Sequence, residues 1–167
     1  MYLSGIDPTQ VSAGTASDMA VAQVGQLAFN TTSAGIKGYI YVKDSGSGIT
    51  ADGYVCDIDG SAYTAVMCST ITTAPGTGAG KAVGVARAAV AAGSYCWLQI
   101  YGPGVVRTSA SCAAYTLINS TATAGQLDDD ASVGAEIING IVLDTATGGA
   151  AATTAAWIQW PNVGRTL

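Results

Sequence analysis

Histidine is missing from this 167-residue chain, and charged side chains make up only 10% of it, against about 25% in an ordinary soluble domain. The first absence removes the side chain most used for proton transfer near neutral pH, the commonest transition-metal ligand and any Ser-His or Cys-His nucleophile pair. The six cations, Lys37, Lys43, Lys81, Arg87, Arg107 and Arg165, are dispersed, and the net charge is -5. Phosphate binding needs clustered cations, so nucleic acid is excluded as a partner. No apolar run approaches the ~20 residues of a membrane-spanning helix, so a helical bilayer span is excluded, and no membrane partner is expected. Met1-Tyr2-Leu3-Ser4-Gly5 has neither the basic nor the continuous apolar segment of a secretory signal, and the expectation is synthesis in a cytoplasm.

Cys56, Cys68, Cys96 and Cys112 form no C-x-x-C pair and have no histidine to complete a zinc site. They read as reduced, buried thiols that behave as small hydrophobes. No metal or cofactor is expected. Asp128-Asp129-Asp130 is the one dense charge cluster, but it lacks the alternating spacing and closing Glu of a calcium loop. It reads as a solvated turn; a hydrolase built on it with Glu136 is a remote alternative. Pro75 to Lys81 has the glycines of a phosphate loop but Ala82 where Ser or Thr would hold Mg²⁺.

Gly, Ala, Ser, Thr and Val dominate what remains, arranged as short β-type pieces between turn residues. Gly38 to Lys43, Ile49 to Asp57, Ala62 to Cys68, Ala82 to Ala86 and Tyr95 to Gly102 each read as strands, with Asp59-Gly60 as a hairpin turn in a meander. Gly84-Val85-Ala86 followed by Trp97-Leu98-Gln99 recurs as Gly140-Ile141-Val142 followed by Trp157-Ile158-Gln159. This is a duplicated hairpin; two copies are too few for a solenoid. The expected fold is all-β, an antiparallel β-sandwich or small β-barrel built of hairpins. Residues 25–167 form its single domain, and 1–24 an extended, loosely held N-terminal arm. Tyr95, Trp97, Tyr101, Trp157 and Trp160 are read as core packing in preference to a ligand platform.

Four stretches carry a family likeness: Gly38 to Val42, Ala92-Gly93-Ser94 running into Tyr95 to Gly102, Ala124 to Gly134, and Gly140 to Leu143. In these the chain, over residues 25 to 164, resembles capsid decoration, or cement, proteins of tailed bacteriophages. The resemblance implies a non-enzymatic β-rich virion protein on the outside of an icosahedral head. It also implies a homotrimer that bridges subunits of the major capsid protein. There are no catalytic residues to carry over. Poverty in charge agrees, since an isolated domain needs roughly 25–35% charged surface and a lattice protein is covered by its neighbours. Contact with the capsid or with sister subunits is expected through the arm, at Tyr2, Leu3, Ile6, Met19, Val21 and Val24, by buried area and strand addition. The alternative is a head-fibre or receptor-binding module whose aromatics contact host glycans.

Overall fold

The structure is a computed structural model and describes residues 2–4, 6–13, 22–69, 76 and 78–167. Strands are its only regular elements: β1 (Tyr2–Ser4), β2 (Val11–Ser12), β3 (Leu27–Thr32), β4 (Gly35–Asp44), β5 (Val55–Asp59), β6 (Thr64–Met67), β7 (Ala82–Ala86), β8 (Tyr95–Thr108), β9 (Asn119–Ser120), β10 (Leu127–Asp128), β11 (Glu136–Leu143) and β12 (Ala152–Thr166). The all-β expectation is met. Pairing is mostly antiparallel, with parallel pairs β1–β3, β4–β6 and β8–β10.

The pairings close into two circuits that share β8. One runs β4-β6-β5-β7-β8 and back to β4; the other runs β8-β12-β11-β9-β10 and back to β8. Closure matters because it leaves few open edges for chance pairing. β8 changes partners along its length: Tyr95 to Tyr101 lie against β4, and Tyr101 to Thr108 against β12. Gly102 stands at the changeover with φ +92, where a Cβ would meet the Ile36 carbonyl oxygen at 2.2 Å. The buried Gln99 amide secures this bend by donating from Nε2 to the carbonyls of Tyr101, Gly102 and Pro103 at 3.1, 3.2 and 3.0 Å.

Alternation along the strands feeds separate cores. Cys56 and Ile58 join Val42, Leu98 and Ala86 inside the first circuit, whereas Val55, Val83 and Val85 face outward onto Ile138, Ile141, Leu143 and Ile158 of the second. A third cluster, Ala28, Tyr39, Tyr41 and Trp97, forms on the far face of β4 and β8, with Ile6, Ala22 and Tyr95 packed on it.

Three sequence readings change. The meander is not simple, because β6 returns between β5 and β4 and runs parallel to β4. The strand expected over 49–57 starts only at Val55; Gly53 at φ +85 turns the chain, and Ile49 keeps a lone bridge to Val90. In the N-terminal arm two of the described stretches are paired rather than loose. Tyr2–Ser4 lines up with Leu27–Phe29, and Val11–Ser12 with Cys96 and Tyr95. The physical reason is the third cluster: two tyrosines and a tryptophan on one sheet face need cover, and the arm supplies it.

Candidate functional site

β12 alternates strictly over its first half. Thr154, Ala156 and Ile158 point into the second core, so Thr153, Ala155, Trp157 and Gln159 point out. The register places Val142 of β11 and Pro103 of β8 on either side of Trp157, and Gln159 beside Tyr101. An apolar row, Val142-Trp157-Pro103, therefore crosses the three strands. The Tyr101 ring meets the Trp157 ring edge-on at 5.9 Å and lies 6.3 Å from Trp160. Such pairs add about 0.5–1.5 kcal/mol beyond area burial, which fixes the rings without hiding them. Trp157 is 40% exposed and Trp160 50%.

Trp160 takes φ +47, a conformation bulky L-residues rarely adopt, immediately before Pro161. It sits where β11 and β12 slip register around Gly140. Beside it opens an apolar cleft of about 250 Å³ lined by Leu27, Ile40, Ile100, Trp160 and Pro161 among others. The positive φ at Trp160 costs about 1–3 kcal/mol, and Tyr63, Ser111 and Tyr115 share that conformation. A second exposed apolar group, Tyr115, Leu117 and Val133, flanks a cleft lined by Leu117, Asp129, Ile137 and Arg165.

Two polar clusters complete the inventory. Cys112, Asp128 and Asp129 bring their ligand atoms within 4.8 Å of one another. Hydrogen bonds account for that proximity: Ala113 N–H donates to Asp129 Oδ2 at 3.0 Å, and Asp129 N–H to Asp128 Oδ1 at 2.9 Å. Burial, then the Asp129 and Asp128 charges, pushes the Cys112 thiol up to about 12, so it keeps its proton. The second cluster joins Asp57, Glu136 and Lys81 at the rim between the circuits. All four cysteines are buried and unpaired.

Of the sequence-named contact residues, Tyr2 and Leu3 lie in β1, Ile6 backs the aromatic cluster, and Val24 is exposed. Met19 and Val21 fall outside the described residues. The five aromatics divide: Trp97 is core, Tyr95 half-covers it, and Tyr101, Trp157 and Trp160 make the surface group. Sequence reading missed Val142, although Ile141 and Leu143 on either side are buried and alternation turns Val142 outward. No known protein-family model matches this chain, and no curated protein is similar to it.

Proposed function

We propose that this chain is a non-enzymatic virion structural protein that binds the outside of an icosahedral phage capsid. There it bridges major capsid protein subunits as a homotrimer. The observation that carries the reading is the uncovered aromatic face of β8, β11 and β12. A contiguous apolar patch rimmed by polar residues is characteristic of an interaction surface, and tryptophan and tyrosine are the side chains that dominate such contacts. The rest of the exterior supports it. Charged side chains are only 10% of the chain, so neutral groups make up most of the surface offered to neighbours. The test is direct. Purified protein is mixed with undecorated heads of the phage that encodes it and sedimented; stoichiometric retention is expected, and its reduction by Trp157→Ser with Trp160→Ser. Failure of the unaltered protein to co-sediment overturns the proposal.

One observation favours the second reading, a head-fibre or receptor-binding module. Tyr101, Trp157 and Trp160 stand together with the exposed amide of Gln159, and flat rings beside an amide suit the faces and hydroxyls of a sugar. A glycan array distinguishes the two: selective glycan signal abolished by Trp157→Ser, with no retention on heads, favours this version.

A further inference from the structure

We propose that Asp57 and Glu136 form a proton-operated latch at the rim where the first circuit packs on β11. The junction loosens as the two buried carboxyls ionise and tightens as they take up protons. One face of β5 runs Val55, Asp57, Asp59, and exposure rises along it from none, through 6%, to open solvent. Asp57 thus stands where dry core meets water. Its Oδ1 has no hydrogen-bond partner, and the residues beside it in register, Val66 and Val83, offer none. Glu136 opens β11 at 3% exposure and brings a second carboxyl from the other circuit. Its Oε1 lies against the turn before β7, 3.1 Å from where a Cβ on Gly78 would stand.

The surrounding charges do not neutralise the pair. Lys81, exposed in the same turn, draws both carboxyls down but forms no ion pair among the described residues. Cys68, at the end of β6, is a thiol that both carboxylates push further up. Asp59 is engaged by the Ser61 N–H and hydroxyl at 2.8 and 2.7 Å. From β12 comes Arg165, which lines the neighbouring cleft with Ile137. β9 contributes the Ser120 hydroxyl, which accepts the Glu136 N–H at 3.0 Å. Burial is the larger force, and it raises both carboxyls; the Asp57 charge adds to it at Glu136.

The sign follows from linkage. Unfolded carboxyls titrate near about 3.9 and 4.3. Both folded values lie higher, so the stabilisation is complete below the unfolded values and is lost as pH rises through the folded ones.

The experiment is thermal unfolding of the full chain from pH 7.5 to 4.5, unaltered and as Asp57→Asn, Glu136→Gln and Asp59→Asn. The midpoint of the unaltered protein climbs on acidification. Asp57→Asn and Glu136→Gln each raise it at pH 7 and flatten the climb. Asp59→Asn removes an equal charge from the exposed end of the same face and leaves the climb in place, which separates the latch from relief of net charge. Amide exchange in the unaltered protein needs no variant to fold. Corrected for intrinsic chemistry, protection at Val83, Ile137 and Ile138 increases on acidification by about tenfold per unit of carboxyl shift. A midpoint and protection that stay level or fall as pH drops overturn the latch. So does Asp59→Asn flattening the climb as much as Asp57→Asn.

Discussion

Trp97 and Trp157 head the two copies of a Trp-aliphatic-Gln strand, yet one is 1% exposed and the other 40%. The middle residues, Leu98 and Ile158, are both fully buried. Residue type settled the inner face alike in both copies; what differs is the outer one. Trp97 has the Tyr41 ring at 4.9 Å and the third cluster around it, roofed by Ile6 and Ala22. Trp157 has the edge of Tyr101 and, among the described residues, no roof. A duplicated strand therefore reports the packing of one face and leaves the other to whatever the chain, or a neighbour, lays on it.

The hairpins also differ in register by one residue. Val85 faces Gln99 and Ala86 faces Leu98, but Ile141 faces Ile158 and Val142 faces Trp157. With a side-chain period of two, a single slip exchanges which neighbour shares a face with the tryptophan. Gly140, φ +77, sits in the irregularity that makes the slip.

The largest expected effect breaks the comparison at the tryptophans. Trp97→Ala removes the centre of a buried aromatic cluster and is expected to cost about 3–5 kcal/mol of unfolding free energy. Urea denaturation measures it. A loss below about 1 kcal/mol would mean that the N-terminal roof contributes little and that the two copies are alike after all.

The glycines of the two copies come next, because each is required for a different reason. At Gly84 a Cβ would stand 2.7 Å from the Leu98 Cβ and 3.2 Å from Ile58 Cδ1, so Gly84→Ala overpacks the first core by about 1–3 kcal/mol. At Gly140 the obstacle is backbone: a Cβ would stand 2.5 Å from the Gln159 carbonyl oxygen and 3.0 Å from Pro161 Cα. Gly140→Ala is expected to destabilise similarly and, unlike Gly84→Ala, to shift the Trp160 environment. Thermal unfolding gives the first effect and tryptophan fluorescence the second.

A smaller contrast separates the two glutamines. Gln99→Leu strands three carbonyls at the bend of β8 and costs about 1–3 kcal/mol, whereas Gln159→Leu, on an exposed position, stays within about 0.5 kcal/mol. Equal costs would remove Gln99 from its role as the clasp of the bend.

Much of this architecture was legible in the sequence. Val55, Val83 and Tyr95 lie in segments whose β-branched and aromatic residues named them as strands, and the duplicated hairpin is real in both copies. The circuits were not legible. Closure depends on β6 slotting beside β4 and on β8 bending at Gly102, both long-range choices that local propensity does not encode. The aromatic face was half legible: the five rings were named, but which would be covered depended on where Ile6 and Ala22 pack. Asp57 was missed because a lone acid inside Val55-Cys56-Asp57-Ile58 looks like an outward position, and its burial at 6% exposure depends on long-range packing that the local pattern does not encode.

Trp157→Ala is expected to cost the fold less than Trp97→Ala and to affect association most. Trp157 is anchored by one ring edge and leaves 40% of its area in water, so its truncation costs the fold about 1–3 kcal/mol from the surface that is buried. The same truncation removes a rigid aromatic from the middle of the apolar row, the kind of residue whose loss at a contact costs about 2 kcal/mol or more. Sedimentation velocity over a concentration series reads the second quantity and urea denaturation the first. A fold left intact with association weakened by about thirtyfold assigns the missing roof of Trp157 to another copy of the chain. A variant that self-associates as the unaltered protein does, at the same stability, moves the subunit contact elsewhere, with the Tyr115, Leu117 and Val133 group the next surface to truncate.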